Sequence, residues 1–275
     1  MTDSSGQSVA APLRKGSPFC LFHAQPFSTK PATVEGPIVI LYLDLETTGV
    51  AVSRARICEL AAAHGPELAH APGECFSEVL YVPVELRQTP ESQAAARVHG
   101  IHDDDISCGT PFAQSWLRFL AFTEACLNNM IHDGSDDSED EPAFSRPPDE
   151  PPTLVLVGHN SFRFDFAMLL FECERHQLSM SPFRKWLFVD TLHVLEATKA
   201  ELGAACLKLQ CLYNTMTDGT NLRAHRALDD CIALRLCCHT VACRLGCTVA
   251  DLLCKFAFQW DEQTSRVQIA ALIEA

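Results

Sequence analysis

Strands and helices alternate along this sequence, and the pattern predicts an α/β fold. Three observations carry the prediction. Ile38 to Leu43 is an unbroken apolar run with β-branched residues, the pattern of a strand covered on both faces. Thr153 to Val157 is a second such run. Segments with helical periodicity, Phe112 to Met130 and Phe162 to His176, lie between and after them.

Residues 1–36 are rich in Pro, Ser, Thr and Ala without a sustained period, so a flexible tail is expected there. Phe19, Phe22 and Phe27 within it are candidates for packing on the domain. The folded domain is expected over residues 37–275, starting near Pro37. After the first strand, Arg56 to His64 reads as a second and the alternating Cys75 to Val82 as a third. Pro90 to Val98 reads as a short helix and Phe112 to Met130 as a longer amphipathic one. Residues 133–150 then hold eight acids against one base, Arg146, with prolines interleaved and following. Such a block repels itself and builds no core, so residues 132–152 are expected to form a disordered acidic, Pro-rich loop. Past Thr153 to Val157 and the helix at Phe162 to His176, Trp186 to Val189 reads as a short strand. Helices fill most of the rest, and no fixed-period repeat is visible.

The 275 residues carry 35 Asp and Glu against 21 Lys and Arg, a formal net charge of −14. That balance speaks against the broad basic face with which proteins usually grip nucleic acid. The 47% hydrophobic content excludes global disorder. No uncharged apolar run reaches the length of about 18 residues that a transmembrane helix needs. The N-terminus lacks the basic start and apolar core of a secretory signal. Its only arginine is Arg14, which argues against mitochondrial import. The 14 cysteines fall mostly inside apolar helical patterns of a chain too large to need staples. They read as reduced thiols of a cytoplasmic or nuclear protein.

Three segments place acids where buried elements should have none. In Leu43-Asp44-Leu45-Glu46-Thr47-Thr48-Gly49, Asp44 and Glu46 are two apart on a strand and share a face. Two carboxylates at a buried strand end are costly unless a cation neutralises them, and Mg²⁺ or Mn²⁺ suits carboxylate oxygens. Taken singly, the segment is read as well as a strand ending in an acidic turn. In Gly158-His159-Asn160-Ser161-Phe162-Arg163-Phe164-Asp165-Phe166, Asp165 sits among aromatic residues. The plain alternative is a capping Asn160 or Ser161 followed by an acid in a first helical turn. In His225-Arg226-Ala227-Leu228-Asp229-Asp230-Cys231, the five-residue spacing puts His225 before the helix that carries Asp230. Asp229 reads as a solvated acid.

In this order the three segments resemble the D-x-E, H-N-x4-D and H-x4-D motifs of the DEDDh group of DnaQ-like 3′→5′ exonucleases. The middle segment is most similar to that of three-prime repair exonucleases. Val98-His99-Gly100-Ile101 resembles a phrase of bacterial proofreading exonucleases. Ile57-Cys58-Glu59-Leu60-Ala61 and Val189-Asp190-Thr191-Leu192 fit the second and fifth strands of the family. The resemblance runs from about Ile38 to Leu236.

The resemblance implies a ribonuclease-H-like fold, a central mixed five-stranded sheet flanked by helices. It implies that Asp44, Glu46, Asp165 and Asp230 hold two Mg²⁺ ions, with Mn²⁺ able to substitute, for an in-line displacement. His225 would deprotonate the attacking water. The implied activity is release of 5′-mononucleotides from single-stranded or frayed DNA 3′ ends. An exoribonuclease of the same family is the alternative, and a catalytically idle nucleic-acid-binding or scaffold module the alternative of another class. Thr47, Thr48, Val50, His99, Ile101 and Asn160 match substrate-binding positions, and family analogy allows a homodimer.

Other clusters have plainer readings. His239, Cys243 and Cys247 form a helical stripe that could ligate zinc, yet cysteine as small apolar filler accounts for it. Ser138, ahead of Glu139 and Glu141, resembles an acidophilic kinase site. The net charge is compatible with a nucleic-acid partner if cations neutralise the site and residues 133–150 stand apart. Arg163, Arg223 and Arg226 are then candidates for guiding a strand end.

Overall fold

The computed structural model describes residues 27, 29–34, 36–65, 75–132, 151–202, 206–216 and 224–266. The acidic block, Ser138, Arg223, Phe19 and Phe22 lie outside these residues. The chain enters as strands β1 (Thr29–Pro31), β2 (Ile38–Thr47), β3 (Ile57–His64) and β4 (Cys75–Val79). Helices α1 (Val84–Arg87), α2 (Pro90–His99), α3 (Asp103–Ser107) and α4 (Phe112–His132) follow. Next come β5 (Thr153–Gly158), α5 (Asp165–Arg175), α6 (Ser181–Lys185) and β6 (Leu187–Asp190). The remainder is α7 (Thr191–Ala197), α8 (Lys199–Leu202), α9 (Leu209–Met216), α10 (Ala227–Leu245), α11 (Val249–Cys254) and β7 (Phe258–Trp260).

The strands form one mixed sheet in the order β1-β7-β6-β5-β2-β3-β4. β2, β5 and β6 run parallel, while β3 and β4 extend the sheet as an antiparallel meander. These five are the central sheet expected from the sequence. The sheet has seven strands rather than five, because β7 and β1 add antiparallel pairs beyond β6. Each of the two is three residues long, too short to show an alternating pattern.

Helices cover both faces, which explains the unbroken apolar runs. Leu41, Leu43 and Leu45 of β2 and Leu154 and Leu156 of β5 pack on one side with Trp116, Phe119, Phe166 and Met168 of α4 and α5. Ile40, Tyr42, Val155 and Val157 point the other way, against Leu212 of α9, Leu234 and Val241 of α10 and Leu252 of α11. Cys237 and Cys238 are buried in this second layer, whereas Cys243 is exposed and Cys247 half-buried, so the reading of the stripe as apolar filler does not hold for Cys243. No described helix is long and apolar enough to cross a membrane.

The ordered chain begins ahead of the boundary expected at Pro37. Phe27 is 1% exposed, and its ring meets Phe162, Phe166 and Phe188 at centroid distances of 5.9, 5.3 and 4.8 Å. β1 follows at once and pairs with β7. Helix α5 also starts later than Phe162, for a reason that belongs to the site. Phe27→Ala is expected to lower stability by about 3–5 kcal/mol, the usual cost of emptying a buried aromatic position. Chemical denaturation measures this; a loss below about 1 kcal/mol would mean that Phe27 is not part of the core.

Candidate active site

Asp44 and Glu46 follow Ile40 and Tyr42 on the face of β2 that α10 covers. Asp230 comes from the first turn of α10, which packs across β2 and β3. Ligand oxygens of these three carboxylates all lie within 4.8 Å of one another. The β2–β3 register shifts between Glu46 and Thr47, so the ladder breaks right after the second acid. A bulge there bends the strand and frees its end for the site.

Asp165 is the first residue of α5 and 4% exposed. Its position depends on the turn after β5. A Cβ on Gly158 would stand 1.8 Å from Ser161 Oγ, so glycine is needed for the turn to close. Asn160 adopts φ 59°, a left-handed conformation that Asn tolerates better than most residues. The buried Asp190 carboxylate holds this turn. It accepts from the N–H of Asn160 at 2.8 Å, of Phe162 at 3.1 Å and of Leu192 at 2.9 Å. Asn160 is left-handed and Phe164, at φ −127° and ψ −81°, is not helical, so the helix begins only at Asp165 rather than at Phe162.

His225 lies outside α10 at φ 66° and is exposed, as the spacing predicted. Its backbone N–H donates to Asp230 Oδ2 at 2.9 Å. A fifth acid, Glu59 of β3, stands opposite Glu46 in the strand register. Arg226 donates to it through Nε at 3.2 Å and Nη2 at 2.8 Å. Arg226 is thus engaged with an acid and is not a free rim cation, while Arg163 is exposed.

The four site acids share one electrostatic problem. Burial, then the charges of Asp165, Asp230 and Glu46, push the Asp44 carboxyl well above the carboxylate range. Glu46 is pushed up to about 8, by burial first and then by Asp230 and Glu59. Burial pushes Asp165 up to about 7 and Asp230 up to about 6, the latter opposed by the His225 N–H. Carboxylates crowded in this way ionise together only if positive charge enters. The donor set is hard oxygen throughout, which fits Mg²⁺ or Mn²⁺. Among the described residues, Asp44, Glu46 and Asp230 form the one cluster with metal-binding spacing. The zinc stripe is not assembled: Cys243 Sγ lies 3.6 Å from His239 Nδ1, while Cys247 Sγ is directed to the Ala242 carbonyl.

The six expected substrate residues divide into two groups. Thr47 Oγ1 donates to the Gly49 carbonyl, and Thr48 Oγ1 accepts from the Arg56 N–H, so both hydroxyls brace the turn after β2. His99 is buried, with Nδ1 accepting from the Ile101 N–H and Nε2 facing Cys58 Sγ at 3.7 Å. Ile101 packs with Cys58, Val82 and Ile106. By contrast, Val50 is 89% exposed and the Asn160 side chain is also exposed. Sequence reasoning passed over Glu59 and Asp190 as functional residues. The signal was present in Glu59, a lone acid inside the apolar strand ICELAAAH.

The raised carboxyls set a pH dependence. Between about pH 4 and pH 8 the folded protein holds protons that the unfolded chain has released. Without divalent cation, stability is therefore expected to fall as pH rises through that window. Mg²⁺ or Mn²⁺ should reduce the fall. Asp44→Asn should stabilise the cation-free protein at pH 8 by about 1–3 kcal/mol and weaken the response to cation. Melting curves from pH 5 to 8, with EDTA and with Mg²⁺, test this; stability that rises with pH in EDTA would contradict it.

No protein-family model matches the chain, and no curated protein matches it. Solved structures do. Cell-death related nuclease 4 (CRN-4) superposes with a TM-score of 0.53 and 15% identity, over 77% of this chain and 65% of that one. The nuclease domain of 3'hExo, a DEDDh family member bound to rAMP, gives 0.53 and 14%, over 78% of this chain and 96% of that one. Exonuclease I from Methylocaldum szegediense gives 0.52 and 17%, over 76% of this chain and 41% of that one. The chain thus spans less than two thirds of the first and third of these. Likeness at such identity speaks for the fold alone: the mixed sheet and its covering helices have the architecture of these nuclease structures.

Proposed function

We propose that the chain is a metal-dependent 3′→5′ exonuclease releasing 5′-mononucleotides from DNA ends. One observation carries the reading. Carboxylates from three distant stretches, at residues 44–46, 165 and 230, converge beside an exposed histidine on this fold.

Asp44, Glu46 and Asp230, with Asp165 beside them, would hold two Mg²⁺ ions. When bound, these supply Lewis-acid stabilisation of the phosphate oxygens and an acidified water. The remaining work falls to the protein's own residues. His225 accepts the proton of the attacking water; its exposed ring lies next to Asp230 and needs no opening of the fold. Asp230 fixes the histidine backbone through one oxygen. Asp165 and the Asp190-braced turn keep the fourth carboxylate close to Asp44. Val50 and Asn160, both exposed and a few residues along the chain from Glu46 and Asp165, are the candidates for meeting the terminal nucleotide.

RNA is the second reading, favoured by one observation: the 3'hExo nuclease domain is a structure bound to rAMP. Matched 3′-labelled and 5′-labelled DNA and RNA oligonucleotides separate the two. Expected is shortening from the 3′ end of DNA in Mg²⁺, and none in EDTA. Asp44→Ala should abolish it, and His225→Ala should lower kcat about 10²–10⁴-fold. Activity that survives EDTA, or both substitutions, would refute the mechanism; shortening of RNA alone would replace the substrate.

A further inference from the structure

Glu59 takes no part in the metal-type cluster, although it stands opposite Glu46 in the strand register. Both its oxygens are occupied by protein. Oε1 accepts from Arg226 Nη2 at 2.8 Å, and Oε2 accepts from Arg226 Nε at 3.2 Å and from the Ala227 N–H at 3.0 Å. The carboxylate is 2% exposed, whereas the Arg226 side chain is 37% exposed. A two-pronged ion pair, closed by a backbone donor and half shielded from water, is among the more rigid polar contacts.

Its location gives this contact a purpose. Ala227 is the first residue of α10, and its N–H is among those a helix leaves without an internal partner. Arg226 is the cap residue, yet its side chain caps nothing in its own helix and reaches across to β3 instead. His225 precedes them in a left-handed conformation that costs a non-glycine residue energy and persists only where the surroundings enforce it. Three consecutive residues are therefore anchored from the sheet side and from α10. Asp230 takes the His225 N–H, and Glu59 takes the Arg226 side chain and the Ala227 N–H. The imidazole itself stays exposed and free to meet solvent.

We propose that Glu59 and Arg226 are positioning residues, a clamp that fixes the backbone of His225 so that its ring faces the carboxylate site. The proposal rests on the reading of His225 as proton acceptor. It predicts that loosening the clamp lowers turnover through His225 and leaves the carboxylate cluster intact.

The test uses the full chain with Glu59→Gln, which keeps an acceptor oxygen in the buried position, and with Arg226→Ala, whose side chain is partly exposed and whose loss spares the core. Three readouts are taken: amide hydrogen exchange at residues 225–228, kcat and KM on a 3′-labelled oligonucleotide, and Mg²⁺ binding by calorimetry. Both variants should speed exchange at Ala227 by about tenfold or more and lower kcat about 10–100-fold. With kcat read at saturating Mg²⁺, KM should stay within about twofold and Mg²⁺ binding should be retained, its affinity shifted only by the charges that Glu59 and Arg226 place on Glu46. On a His225→Ala background, either substitution should cost less than about twofold further. Unchanged exchange, unchanged kcat, or an equal loss on both backgrounds would overturn the clamp. Wild-type protein inactive on every oligonucleotide would overturn the nuclease reading instead, and hydrogen exchange alone would then decide whether the clamp exists.

Discussion

The site is organised around mutual repulsion among acids removed from water. Asp44, Glu46, Asp165 and Asp230 all have their carboxyls shifted upward, with burial the leading cause in each. Left alone, such a group would take up protons or push apart. Separation is not available, because the acids sit on three elements, each fixed by its own part of the core. β2 is held by β3 and β5, α10 lies across the sheet, and α5 is buried along most of its length. Strain is thus transferred from packing to protonation, and a hard cation entering the group would relieve it, as the proposed function requires. Affinity for positive charge is a consequence of the fold's rigidity.

Two further acids make that rigidity local, and they do so by being satisfied. Asp190 accepts three backbone N–H bonds and fixes the turn that delivers Asp165. Glu59 is closed off by Arg226 and the Ala227 N–H at the start of α10. Burial of a carboxylate therefore has two outcomes here. Where backbone donors or a guanidinium reach it, it becomes a brace. Where burial and neighbouring carboxylates outweigh the few donors that reach it, it keeps a raised carboxyl and is a candidate ligand. Substituting a brace removes geometry, while substituting a ligand removes repulsion, so the two classes respond in opposite directions when cation is absent.

The central sheet was legible because its strands are covered on both faces, which leaves unbroken apolar runs at Ile38 and Thr153. β1 and β7 were not, since three residues cannot display a period and their pairing is set by partners more than two hundred residues apart in sequence. Asp44, Glu46, Asp165 and Asp230 were legible as acids in apolar settings, an anomaly visible without coordinates. The same anomaly marks Glu59, yet sequence does not reveal which buried acid has a cation beside it. That depends on a contact across 167 positions. The threonines after Glu46 show the converse limit. A hydroxyl next to a site is as easily used inside its own turn, and Thr47 and Thr48 are used that way.

The proposal that His225 is the proton acceptor is supported by comparing three histidines of this region. His159 is tied at Nδ1 to Thr191 Oγ1, whose hydroxyl donates onward to the Gly158 carbonyl, and burial lowers its pKa. His99 is tied at Nδ1 to the Ile101 N–H and faces a thiol with the other nitrogen, and burial lowers its pKa too. Each ring is a structural part with its tautomer set by its neighbours. A general base needs the reverse: an imidazole open to water, on a backbone that does not wander. His225 meets both requirements, since its ring is exposed while its main chain is fastened to Asp230 and continues into the Glu59-bound pair. Exposure of the ring and immobility of the chain beneath it have separate causes, and Asp230 of α10 and Glu59 of β3 supply the second.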